Sequence, residues 1–259
     1  MSTLHADDGA VVLTIDADVA VISLNRPHRL NAVNDQLVEG LLDALSEIEA
    51  GECGAALLTG RGRAFCAGHD LKEPRGGDDG LLRRLERLQE VTRRIRGLSI
   101  PVIAAVHGHA VGAGAEFALG CDLVVAAEGT RFRFPEVGLG LSVTGGLTKL
   151  LPLFVGPIKA KELLLLGEAI DAREAMRLGL VNRVVPPSEL TGATMEWARR
   201  LASQPRVPTA LAKAALDNGI DAAFGAGLEL EISHAIITDG VAKRGDQALA
   251  ASRARNRGA

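Results

Sequence analysis

Apolar positions in the first half of the chain fall into two alternating periods. Residues 11–15 and 19–24 are short runs rich in β-branched side chains, with residues 16–18 between them, which predicts a hairpin. Asn25-Arg26-Pro27 ends its second strand. Leu37, Leu41, Leu42, Leu45 and Ile48 then recur at helical spacing, predicting a helix to about Ala50 with Asn31 or Asn34 as its cap. Strand patterning returns at 55–59, an amphipathic helix at 81–96 places Leu82, Leu85, Leu88, Val91 and Ile95 inward, and strands follow at 101–106 and 123–127. Residues 74–80 read as a surface loop.

This strand–turn–helix–strand rhythm predicts an α/β layered core. From about Lys159 the pattern is mainly helical, apart from a short segment at 181–185 before Pro186-Pro187. Helices at about 190–203 and 208–239 have no strand partner in the pattern. The expected organisation is a core over residues 1–190 and a helical subdomain over 191–259, whose apolar faces could pack on another subunit. No internal repeat or low-complexity linker is visible.

Composition narrows the function. With 47% apolar residues over 259 positions, a large core is expected and global disorder is not. A formal net charge of −3 gives no electrostatic basis for holding nucleic acid. Cys53, Cys66 and Cys121 lack metal-ligand spacing and read as thiols in a reducing compartment. No basic start leads into an apolar run, and no apolar stretch reaches about 18 residues, so a soluble, cytoplasmic protein without membrane partners is expected. The chain has no Tyr, so no phenol can serve as acid, base or oxyanion donor.

Two glycine-rich turns carry the chemistry. Residues 102–116 read as a strand, a flexible turn and a helix start, with Gly112-Ala113-Gly114-Ala115-Glu116 at the junction. The first amides of a helix have no intrahelical partner and lie at the positive end of the macrodipole, so a developing negative charge is stabilised there. Dinucleotide binding is disfavoured, because Phe117 occupies the third glycine position of G-x-G-x-x-G and would hold helix and sheet apart. No G-x-x-x-x-G-K-S/T is present. The second turn, residues 60–72, also follows a strand.

Taken together, these segments resemble the crotonase, or enoyl-CoA hydratase/isomerase, superfamily. The matching pieces run in order: Asn25-Arg26-Pro27 with Asn31-Ala32, residues 64–72, residues 101–108, Gly112–Glu116, Cys121-Asp122, Phe134-Pro135-Glu136 and Gly179-Leu180-Val181. The resemblance implies a spiral core of repeated ββα units with C-terminal helices used for trimerisation, and trimers that often pair into hexamers. It implies an oxyanion hole made of the His69 and Ala113 backbone N–H groups, which would hold a thioester oxygen as it becomes an enolate. Alanine at 113 requires a negative φ there. The His69 side chain is not needed in this scheme.

The resemblance also implies that Glu116 and Glu136 form the catalytic pair. One would activate the water attacking C3 of an enoyl thioester and the other would deliver a proton to C2. Glu116 is assigned to water and Glu136 to C2, although coupled groups allow the reverse. For the acyl-CoA itself, Ala67, Gly68, Asp70, Leu71, Lys72, Gly112 and Arg29 are the expected contacts, with Arg26 a further candidate cation. No metal cluster and no separate cofactor are expected. The chain departs from the hydratase pattern at Val143-Thr144-Gly145-Gly146, where Pro-Gly-x-Gly-Gly is common, and its tail lacks the usual aromatics. An altered acyl pocket follows. The competing readings are a double-bond isomerase or carnitinyl-CoA-like dehydratase on the same scaffold, and a non-catalytic acyl-CoA-binding protein.

Overall fold

The computed structural model describes residues 2–3, 9–72 and 78–257. Within them, the main sheet holds β1 (Ser2–Thr3), β2 (Val11–Asp16), β3 (Val19–Leu24), β4 (Ala55–Gly60), β5 (Val102–Val106), β7 (Leu123–Ala127) and β10 (Arg183–Val185), side by side in that order. A small second sheet orders β6 (His109–Val111), β8 (Arg131–Arg133) and β9 (Ile170–Asp171). The expected hairpin forms, with β2 and β3 antiparallel and Ala17 turning at φ 54°. From β3 to β10 every neighbouring pair is parallel. Parallel neighbours need crossovers, and α1 (Asp35–Ala50), α2 (Asp78–Gly97) and α3 (Ala113–Gly120) supply them.

Alternation along the strands sorts side chains into two layers. Ala20, Ile22 and Leu24 of β3, with Ala56 and Leu58 of β4 and Val102, Ala104 and Val106 of β5, join Leu37, Leu41 and Leu45 of α1 and Leu88 and Val91 of α2. The intervening residues, Val19, Val21, Leu57, Ile103 and Val125, face the other way. They pack under Leu190, Met195 and Ala198 of α7 (Leu190–Ala202). This corrects the expectation that the 190–203 helix lacks strand partners. A parallel sheet is apolar on both faces and must be covered twice. Helical periodicity shows that α7 has an apolar face, not what that face meets.

Downstream, α4 (Leu147–Val155), which the pattern did not suggest, is followed by α5 (Pro157–Leu166) and α6 (Ala172–Arg177). The last helix, α8 (Arg206–Arg257), is longer than the expected 208–239 and lies against α2 and α4, with Leu228 on Leu150. Of the expected 74–80 loop, 74–77 fall outside the described residues and 78–80 open α2. The tail side chains at 246–253 also lie outside the described residues.

Candidate active site

The 60–70 turn is built around a buried asparagine. Asn34 caps α1, accepting from the Leu37 amide at 3.0 Å, which leaves Asn31 for another task. Asn31 is fully buried and in the left-handed region at φ 55°. Its Nδ2 donates to the carbonyls of Arg61, Ala64 and Phe65 at 2.9, 2.8 and 3.1 Å, and its Oδ1 accepts from the Arg26 amide at 2.8 Å. Arg26 in turn donates to the Ala32 carbonyl and pairs with Asp70 at 3.1 Å. Arg26 and Asp70 are therefore engaged in holding the turn.

The two glycine-rich turns meet edge to edge. The Cys66 amide donates to the His109 carbonyl at 2.9 Å, and the Val111 amide donates back to the Cys66 carbonyl at 3.0 Å. A Cβ at Gly68 would sit 2.7 Å from the Val111 carbonyl oxygen, so only glycine permits this approach. His69 forms a parallel bridge with Val33, but that bridge uses its neighbours: Val33 N–H donates to Gly68 O, and Asp70 N–H donates to Val33 O. The His69 amide consequently points away from Val33. Ala113 is the first residue of α3, behind Gly112 at φ 51° and ψ −123°. Its own φ is not positive, which meets the condition for alanine. Among the described residues neither the His69 nor the Ala113 amide has a backbone acceptor. The Cys66 thiol beside them is pushed up to about 12 by burial, so it is no nucleophile at neutral pH.

Both acids converge on this spot. Glu116 lies in the first turn of α3 and is 1% exposed, while Glu136 follows Pro135 and is 7% exposed. Glu136 Oε1 packs over Gly112, 2.8 Å from where a Cβ would stand, and its Oε2 is buried without a partner among the described residues. Glu116 accepts from the Thr144 amide at 3.1 Å and is 2.8 and 2.9 Å from the Thr144 hydroxyl through its two oxygens. Burial, with the charge of Glu136 second, pushes Glu116 up to about 8; burial pushes Glu136 up to about 7. Such a pair holds one proton near neutrality. Burial, together with the Arg84 charge, keeps the His69 imidazole below its ordinary value, and hence neutral.

Three further residues complete the site: Thr144, in the loop that departs from the hydratase pattern, and Gln89 and Glu231, which have no visible sequence signal. Glu231 of α8 is 1% exposed and accepts from the amides of Gly146 and Thr148 at 2.9 and 3.0 Å, from the Thr148 hydroxyl at 2.6 Å and from Gln89 Nε2 at 3.2 Å. It thus caps α4, while Gln89 Oε1 takes the Gly145 amide at 3.1 Å. Nothing local marks these positions, because Glu231 and Gln89 are 142 residues apart. Glu231→Ala would leave several buried donors unpaired. It is expected to cost about 3 kcal/mol, read as a fall in Tm of about 6–10 °C by calorimetry.

A pocket of about 280 Å³ opens between these elements. Its polar end carries His69, Glu116, Glu136 and Thr144, and its apolar wall includes Leu85 and Leu88 of α2, Leu139, Leu141 and Ala235 of α8. Of the sequence-predicted contacts, Asp70 and Leu71 line it; Gly68, Gly112 and Ala113 lie beneath, buried. Ala67 is half-buried, its amide bonded to the Leu30 carbonyl. Lys72 and Arg29 stay exposed and off the lining, although the Arg29 charge reaches Asp70. Among the described residues no group of three or more His, Cys, Asp or Glu could hold a metal, and no helix is long and apolar enough to cross a membrane.

An α/β core whose two glycine-rich turns meet beside a pair of buried acids matches the layout that the crotonase resemblance implies. Comparison with known proteins agrees. The Enoyl-CoA hydratase/isomerase family pattern matches residues 14–248. A short-chain-enoyl-CoA hydratase of Clostridium acetobutylicum is 39% identical over 229 residues, covering 85% of this chain and 86% of that protein. A 1,2-epoxyphenylacetyl-CoA isomerase of Escherichia coli is 38% identical over 223 residues, covering 84% and 85%. The crystal structure of an enoyl-CoA hydratase/isomerase from Mycobacterium paratuberculosis superposes with a TM-score of 0.84 at 31% identity, over 89% of this chain and 93% of that one. The chain belongs to the enoyl-CoA hydratase/isomerase family, within the crotonase superfamily.

Proposed function

We propose that the chain adds water across C2=C3 of a 2-enoyl-CoA thioester. The observation that carries this reading is that two buried acids share one pocket beside two turns whose His69 and Ala113 amides have no backbone acceptor among the described residues. The His69 and Ala113 N–H groups hold the thioester oxygen as negative charge builds on it. One glutamate takes a proton from the water attacking C3, and the other gives a proton to C2.

Glu116 stands near 8 with the Thr144 hydrogen bonds already lowering it, and Glu136 near 7 with its own amide lowering it, so the two titrate as a pair sharing a proton. Geometry separates their roles: Thr144 holds Glu116 through both carboxyl oxygens, whereas Glu136 Oε2 has no partner among the described residues. Glu116 is assigned to the water and Glu136 to C2. Coenzyme A is part of the substrate and no step is placed on a metal or cofactor. Exposed Lys72 and Arg29 at the rim suit its phosphates.

Incubation with crotonyl-CoA tests the reading: the absorbance of the conjugated thioester should disappear, with a bell-shaped pH profile. The pair carries one proton between about 7 and about 8, so activity should fall below that window, where both acids are protonated, and above it, where both are ionised. Persistent absorbance at every pH would defeat hydration. Double-bond isomerisation is the second reading, supported by the hydratase/isomerase breadth of the family and by Glu136, whose carboxyl alone could move a proton between C2 and C4. A 3-enoyl-CoA converted by the Glu116→Gln variant would favour it. A homotrimer, or a dimer of trimers, is proposed on the exposed apolar side chains Ile158, Leu165 and Leu166 of α5 and Leu211 and Leu216 of α8.

A further inference from the structure

We propose that Thr144 is the positioning residue that makes Glu116, and not Glu136, the base of the pair. The inference rests on the two-acid reading above and deepens it. Thr144 stands in the loop that departs from the hydratase pattern, and its side chain is 4% exposed. Its hydroxyl lies 2.8 and 2.9 Å from the two oxygens of Glu116, and its amide donates to Oε1 at 3.1 Å. Both contacts come from one residue, so the carboxyl plane is fixed against rotation. Glycine at this position could offer the amide alone.

The hydroxyl adds something an amide cannot. Against the carboxylate it donates; once Glu116 has taken the water's proton, the same oxygen can accept from the new O–H. Thr144 thus keeps Glu116 in place through both protonation states while favouring the charged one at the start. The acidic groups facing Glu116 are Glu136 and Glu231, both of which disfavour its ionisation. Glu231 acts from behind the loop it caps. Thr144 is the side chain in this set that offsets them, and the clasp of Gln89 on Gly145 and of Glu231 on Gly146 and Thr148 holds Thr144 where it can do so.

Thr144→Val keeps shape and amide but removes the hydroxyl, while Thr144→Ser keeps the hydroxyl. The titration of the Glu116 carboxyl is followed by carbon-13 NMR on glutamate-labelled protein, the signal being the one missing from Glu116→Gln. The valine variant should raise its midpoint by about one pH unit. With crotonyl-CoA, kcat at pH 7 should fall about tenfold with KM little changed, the acid limb of the pH profile moving up by the same amount, and serine should restore both. A midpoint unmoved by valine overturns the proposal, whatever the activity. If the wild type hydrates nothing, the function reading fails, yet the NMR titration still decides the role of Thr144. Should valine fold poorly, Thr144→Ala carries the same comparison, with the same outcomes counting for and against.

Discussion

Glutamine at position 116 is expected to lower kcat for hydration of crotonyl-CoA by about 10³-fold, with KM changed only slightly. The substitution is close to isosteric, which matters in a site this full: the Glu116 side chain lies within 2.6 to 2.8 Å of where a Gly145 Cβ would be. Thr144 can still bond to an amide, so the fold should survive and the loss should fall on the chemical step. In this scheme water attacking C3 relies on Glu116, since Glu136 is committed to C2 and the His69 imidazole in the pocket is assigned no role. Glu136→Gln should cost a similar factor, since Glu136 lines the same pocket and the scheme gives it the proton at C2. The double variant should be scarcely worse than either single one, as expected when two groups act as a unit. Initial rates of crotonyl-CoA absorbance loss measure all three; more than about a tenth of the activity left in either single variant would sink the two-acid scheme.

Ala113→Pro should cost about 10² to 10³ in kcat with little loss of stability. Ala113 is the first residue of α3, the one helical position where proline is accommodated because its missing N–H has no intrahelical acceptor to lose. The preceding Gly112 has no Cβ to clash with the proline ring. The helix should remain, and what disappears is the one amide hydrogen that the proposed scheme assigns to the thioester oxygen. Crotonyl-CoA turnover paired with a melting curve separates the effects. Full activity with an unchanged Tm would show that the Ala113 amide holds nothing that develops charge.

Most of the first half of the fold is legible in the sequence. Runs rich in β-branched residues announce β2 and β3, short continuous apolar runs announce β4, β5 and β7, and the leucine spacing announces α1 and α2, because these elements bury one face or both over at least five residues. The short strands β6, β8 and β9 are two or three residues long, and their registers are set by neighbours far away in the chain. No local pattern can carry such pairings. The same holds at the site. Glu116, Glu136 and both glycine turns could be found by order and residue type. Asn31, expected as an alternative cap, proved to be the strut of the 60–70 turn, since three carbonyls surround it only after folding. Gln89 and Glu231 carry no signature, because each is defined by what it touches across the chain, while Thr144 is marked only as part of a departure from the hydratase pattern, without its role. The two cations expected to meet substrate directly, Lys72 and Arg29, sit at the rim instead of the lining, a distinction that spacing cannot draw.

The Glu231 clasp ties the last helix to the loop that seats the base, and this has a consequence for engineering and for divergence. A new tail grafted from a relative brings its own residue at 231, while the 144–148 segment still presents three donors to an acceptor that is gone. Chimeras that exchange the tail alone should turn over poorly even when they assemble, and those that move both pieces, with Gln89, should recover. The helix and the loop should therefore behave as one module, with changes at 231 tolerated only alongside matching changes in the segment that it caps.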